Sequence, residues 1–149
     1  MTCTFFGQSD ATDEIKNKLK ECILYMINCE HVDMFLVGNN GNFDFFTQCS
    51  LQELKNEGIC IDYAIILSRL GETALSKNQR ATLFPEKLDD VIPKYAIPKR
   101  NSYLIDNSSF VIAYARHRFG NSYKWITKAS KRGLKIINLA DEDSYENQI

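Results

Sequence analysis

Four short polar segments hold the residues best suited to grip an anion: Gly7-Gln8-Ser9-Asp10, Gly38-Asn39-Asn40-Gly41-Asn42-Phe43-Asp44, Lys99-Arg100-Asn101 and Arg116-His117-Arg118-Phe119-Gly120-Asn121-Ser122. The second is the most informative. Two glycines and three asparagines stand between an apolar run and a helical stretch, and backbone without a Cβ can turn its amides toward a ligand. The helix start adds partial positive charge, which favours an exposed anion by about 0.3–1 kcal/mol. A phosphate fits there, and Asp44, just inside the helix, is placed to accept a ribose hydroxyl. The same residues also suit an ordinary turn in which Asn42 or Asp44 caps the helix. The segment is neither the GxGxxG dinucleotide fingerprint nor a P-loop lysine motif.

The other three segments add polar groups of the same kind. Gly7 allows a tight exit from the first apolar run, and Gln8, Ser9 and Asp10 either converge on the ligand or cap the next helix. Lys99 and Arg100 open a helix, where the dipole opposes cations, so an anion nearby would explain them; a solvated cationic face is the alternative. Arg116 to Ser122 form a second approach to a helix start, with Gly120, Asn121 and Ser122 leading in. His117 there is suited to donating a hydrogen bond or a proton near neutral pH, or is simply solvated. Trp125 reads as a core anchor.

These segments need a scaffold that brings them to one edge, and the apolar pattern supplies it. Thr2–Phe6, Met34–Val37, Ile61–Leu67, Phe110–Tyr114 and Lys135–Leu139 read as strands, several too uniformly apolar for a half-exposed sheet and therefore buried on both faces. Between them, residues 14–28, 43–55, 98–107 and 122–132 carry helical spacing, as in Ile15, Leu19, Cys22, Ile23 and Met26. Pro98 suits a first helical turn, and Gly58 and Gly133 mark helix ends. Residues 68–95 are irregular, with a brief β-prone Thr82-Leu83-Phe84, and loops of that length are commonly functional. Alternating strands and helices predict a Rossmann-like three-layer α/β/α sandwich with a mostly parallel sheet. Ligands bind beyond the carboxyl ends of such strands, where strand order reverses.

Bulk properties set the limits. A chain of 149 residues, 44% hydrophobic and 25% charged, fits one soluble domain, here 1–140, with an acidic tail at 141–149. Eighteen basic residues against nineteen acidic ones leave no broad positive field, so duplex nucleic acid is a poor partner. A local basic stretch runs from Lys94 to Arg132. Cys3, Cys22, Cys29, Cys49 and Cys60 show no CxxC pair and mostly fall in apolar stretches, which predicts buried reduced thiols; His31 and His117 stand far apart, so no metal site is expected. No cofactor is implied. The N-terminal residues show no signal peptide or membrane span, and the expected address is the cytoplasm.

The chain resembles the YpsA-like proteins of the SLOG superfamily, whose wider membership includes the LOG phosphoribohydrolases and the DNA-processing protein DprA. The resemblance rests on TCTFFG, VGNNGNFD, FPEKL followed by AIPKRN, and GLKIINL, in that order over most of the chain. It implies a Rossmann-like fold and a nucleotide-derived ligand, ADP-ribose-type molecules among them, with Gly7, Gly38, Gly41, Asp44, Arg100 and Asn101 lining the pocket. Two departures stand out. Similar sequences read Gly-His-Arg-Asp in the first loop, where this chain has Gln8 and Ser9, and they pair glycines near 120, where Asn121 follows Gly120. Related folds often dimerise through helices, which makes a homo-oligomer an expectation too.

Two functions compete on this basis. One is a module that senses or sequesters a nucleotide without chemistry. The other is an enzyme cleaving an N-glycosidic bond, as LOG proteins and deoxyribosyltransferases do, with Asp44 the catalytic carboxylate or Asp10 in its place. The LOG pattern PGGxGTxxE is absent, and GNNGNFD stands in its position, which ranks the enzyme second. A nucleic-acid or protein interaction through the basic residues between 94 and 132 comes third, disfavoured by the near-neutral charge.

Overall fold

A computed structural model describes residues 1–141, so most of the acidic tail lies outside the described residues. Six strands form one sheet: β1 Thr2–Gly7, β2 Met34–Val37, β3 Asp62–Ile66, β4 Thr82–Leu83, β5 Phe110–Tyr114 and β6 Lys135–Asn138. Every pairing is parallel, in the order β4-β3-β2-β1-β5-β6. The expected α/β sandwich is therefore what forms, with the sheet parallel throughout. Four helices connect the strands: α1 Lys16–Cys29, α2 Asn42–Asn56, α3 Ala96–Asp106 and α4 Asn121–Lys131.

The apolar strands are buried on both faces because helices cover both. Alternate residues Cys3, Phe5, Phe35, Val37, Ile65 and Ile112 point to α1 and α2, meeting Leu19, Ile23, Met26, Leu51 and Leu54. Their neighbours Phe6, Leu36, Ile66, Val111 and Ala113 point the other way, to Leu104, Ile105, Trp125, Ile126 and Ala129 of α3 and α4. This period-2 division of an almost wholly apolar run makes the sandwich three layers thick. Each fully buried Phe, Leu or Ile contributes roughly 1.5–3 kcal/mol.

Chain order fixes where a ligand could enter. From the centre the chain walks outward through β2 and β3 to β4, then crosses back to β5 on the far side of β1. Strand order thus reverses between β1 and β5, and the loops leaving those two strands part at their carboxyl ends. The irregular stretch 68–95 holds the edge strand β4 and three short 3-10 turns, at Gln79–Ala81, Glu86–Leu88 and Pro93–Tyr95. Pro98 lies in the first turn of α3, as expected. Among the described residues no helix is long and apolar enough to cross a membrane.

The thiols divide differently from the expectation. Cys3 and Cys22 are buried and Cys49 is half-buried, whereas Cys29, at the end of α1, and Cys60, before β3, are exposed. Both exposed residues sit where a helix or connection meets solvent, so apolar neighbours in sequence did not bury them.

Candidate functional site

At the carboxyl end of the sheet, β1, β2, α2, α3 and α4 enclose a polar cleft of about 140 Å³. Gly7, Ser9, Gly38, Asn40, Asp44, Arg100, Asn101, Asn121 and Ser122 line it, over an apolar wall of Phe5, Phe6, Ile97, Leu104 and Trp125. A second compartment of about 310 Å³ adjoins it, lined by Gln8, Ser9, Asp10, Ala115, His117, Phe119, Gly120, Asn121 and Ser122. Ser9, Asn121 and Ser122 border both. Residues distant in sequence thus meet at the reversal of strand order.

Asp44 and Arg100 form the charged floor. Arg100 is 3% exposed and Asp44 8% exposed. The two couple through space rather than through a hydrogen bond. Asp44 Oδ2 accepts the Asn40 amide at 2.9 Å. Arg100 Nε donates to Asn101 Oδ1 at 3.0 Å, and Nη1 donates to the Ile66 carbonyl at 3.4 Å. Burial pushes the Asp44 carboxyl up to about 6, while the Arg100 charge and the Asn40 amide pull it down. Burial lowers Arg100, and Asp44 and Glu72 oppose that. The unusual pair of cations opening α3 thus finds an internal anion: Arg100 turns inward to Asp44, and Lys99 faces solvent.

Three glycines set the geometry. A Cβ at Gly38 would lie 2.7 Å from Asp44 Oδ2 and 3.1 Å from the Arg100 Cζ and Nη1, so its absence is what lets the two charges approach. At Gly7 the ring of Phe43 fills the space a side chain would take, and that ring stacks on Tyr114. Gly41, at φ 91°, packs against Ser9, whose Cα a Cβ would meet at 2.6 Å.

The second loop therefore spends its amides differently from the expectation. The Asn40 amide goes to Asp44 and the Asn42 amide to the Ser9 carbonyl at 2.9 Å. Asn42 Nδ2 donates to the Ala11 carbonyl at 3.1 Å, tying this loop to the first. Asn39 is occupied with the segment after β3: its Nδ2 donates to Glu72 Oε2 and the Thr73 carbonyl, and its Oδ1 accepts from Leu75 and Gln48. Neither Asn39 nor Asn42 lines the cleft. The bend is closed by packing at Gly41 and open only above Gly38, Asn40 and Asp44. Gly41 holds the N-cap position without a side-chain cap, and Asp44 instead ties the turn through the Asn40 amide.

The start of α4 is the barer of the two helix ends. Gly120 is its N-cap at φ 93° and ψ 179°, close to Gly41 at 91° and 177°. No side chain caps the helix, and nothing stands within 4 Å of where a Gly120 Cβ would be. Among the described residues the amides of Asn121, Ser122 and Tyr123 have no intramolecular partner. Gln8 and Asp10 line the second compartment and also hold a cation there: Gln8 Oε1 accepts from Arg116 N at 2.8 Å and Nε at 3.1 Å, and Asp10 pairs with Arg116 Nη2 at 3.3 Å. His117 stacks on Phe119, with centroids 5.0 Å apart and planes 10° apart. Trp125 is 7% exposed and stacks on Phe6, the anchor expected of it.

Two participants escaped the sequence reading. Gln48 is fully buried and donates to the Gly38 carbonyl at 2.9 Å, and Glu72 accepts from Ser68 and Asn39. For Gln48 a signal existed: Asp44, Gln48 and Leu51 fall at i, i+4 and i+7, so two polar residues interrupt the core-facing stripe of α2.

The fold and cleft define a class, a parallel α/β domain with a polar pocket at the strand-order reversal. No family model matches the chain, and no curated protein does. Among solved structures, the X-ray structure of DNA processing protein A (DprA) from Streptococcus pneumoniae superposes with a TM-score of 0.67 at 13% identity, over 92% of this chain and 49% of that one. The chain thus spans about half the length of that protein, and the likeness establishes a shared fold.

Proposed function

We propose that this chain binds a phosphate-bearing, nucleotide-derived ligand of the ADP-ribose type, as a YpsA-like member of the SLOG superfamily. The observation that carries this is the buried Asp44–Arg100 pair, lining the same cleft as the uncapped start of α4. Asp44 Oδ1 has no hydrogen-bond partner among the described residues. A carboxylate held there accepts sugar hydroxyls, and the Asn121–Tyr123 amides receive phosphate oxygens without Cβ interference at Gly120. The phosphate seat thus moves from the Gly41 bend to the Gly120 bend, while the ribose contact at Asp44 stays. The fold shared with a DNA-processing protein accords with a nucleotide-related role, and the balanced charge speaks against a duplex.

Calorimetric titration with ADP-ribose, cyclic ADP-ribose, NAD and AMP tests the proposal. Saturable binding of at least one, weakened by salt, is expected; no heat from any of the four would end it.

One observation favours an enzyme as the second reading: the Asp44 carboxyl, at about 6, is poised to act as an acid or to stabilise cationic charge near neutral pH. N-glycosidic cleavage would then release base from AMP or a deoxynucleoside, and Asp44→Asn would abolish it. Binding without base release leaves the sensor.

A further inference from the structure

We propose that the two compartments read a two-ended ligand, a nucleoside diphosphate carrying a second sugar, with its aromatic base on Phe119 and its terminal sugar at Asp44. This rests on the nucleotide reading above and gives it a direction.

The outer end is marked by an aromatic ring with no structural task. Phe119, between β5 and α4, is 75% exposed and lines the second compartment beside His117, where its ring is available to a planar ligand. His117 covers one of its faces in a nearly parallel stack, which braces the ring and lowers the entropy lost when a base settles on it. Aromatic stacking accepts any base, because every base has a π-face.

The inner end has the opposite character. It is charged, buried and small: about 140 Å³, against the 300–1,000 Å³ typical of sites that enclose a drug-sized ligand. A cleft of that size suits a single sugar beside Asp44 better than a base with its sugar. The wall shared by both compartments is the start of α4, where the free amides stand. From outside inward, the chain therefore offers an aromatic surface, then hydrogen-bond donors for anionic oxygens, then a carboxylate for hydroxyls. A base, a diphosphate and a terminal sugar follow that sequence.

The test titrates wild type, Phe119→Ala and Asp44→Asn with ADP-ribose, ADP and ribose 5-phosphate. Phe119→Ala is expected to weaken ADP-ribose and ADP by roughly 5- to 150-fold and to leave ribose 5-phosphate unchanged. Asp44→Asn is expected to weaken ADP-ribose and ribose 5-phosphate and to spare ADP. Phe119→Tyr, which keeps the ring, retains wild-type affinity. Because Asp44 is buried and its variant is exposed to misfolding, the Phe119 pair decides alone if needed. Unchanged ADP-ribose and ADP affinity in Phe119→Ala, or an equal loss of ribose 5-phosphate, overturns the assignment and leaves nucleotide binding standing. Wild type that binds none of the three overturns the assignment, and the four-ligand titration above decides the nucleotide reading separately.

Discussion

Replacing Gly38 by alanine asks whether the missing side chain is what holds the charged floor together. The backbone is not the obstacle, because Gly38 does not adopt a positive φ. The obstacle is steric: the new Cβ meets Asp44 Oδ2 at 2.7 Å and the Arg100 guanidinium at 3.1 Å. Neither group is a loose end, since Oδ2 holds the Asn40 amide and the guanidinium holds Asn101 and Ile66. Overpacking at such a site costs about 1–3 kcal/mol, from which a stiffer unfolded chain returns about 0.4–1 kcal/mol. A net loss of roughly 1–2 kcal/mol lowers Tm by roughly 2–8 °C in a domain of this size. Urea denaturation followed by circular dichroism measures it, with an unchanged m-value showing that only stability moved. If the proposed ribose contact at Asp44 holds, ligand affinity falls as well, because the carboxylate is displaced. A Gly38→Ala protein with the wild-type midpoint and wild-type ADP-ribose binding would refute the reasoning.

Two further predictions follow from buried groups. The folded protein holds the Asp44 proton to about pH 6, while the unfolded chain releases it near the ordinary aspartate value of 3.8. Between those values the folded state binds more protons, so rising pH costs stability there and the loss is complete above about 6. The stability of wild type relative to Asp44→Asn is therefore expected to fall by up to about 3 kcal/mol from pH 3.8 to 6, read from denaturation midpoints across pH; a flat difference contradicts the buried carboxylate. In the native protein a thiol reagent is expected to label Cys29 and Cys60 promptly and to reach Cys3 and Cys22 only on unfolding, because burial pushes Cys22 up to about 12 and raises Cys3 further from reactivity. Peptide mapping by mass spectrometry checks this, and native labelling of Cys22 would contradict the packing of α1.

The layered sheet was legible because its signals are local. Short apolar runs bounded by glycine and polar residues, alternating with helical spacing, determine a parallel α/β sandwich, and even the two-residue β4 announced itself in Thr82-Leu83. The cleft was legible in outline only. Gly38, Asp44, Arg100 and Asn101 come together as expected, but composition does not reveal which groups satisfy each other first. Asn39 looked like a ligand donor and serves the loop at Glu72; Gln8 and Asp10 looked free and hold Arg116. Such competition is decided by contacts across 33 to 108 residues, which no local window contains. The cations opening α3 did carry the right message, an anion nearby, although the anion turned out to be the protein's own Asp44. Phe119 passed unremarked because one aromatic residue in a loop has no periodicity to break.

The sheet closes on one side with a strand only two residues long, with Pro85 one residue beyond its end. So brief a rim exposes few amides and carbonyls for a foreign strand to zip onto, and a proline just past it cannot donate one. The molecule is thereby guarded on that flank against edge-to-edge aggregation, a protection that lengthening β4 or replacing Pro85 by valine would remove.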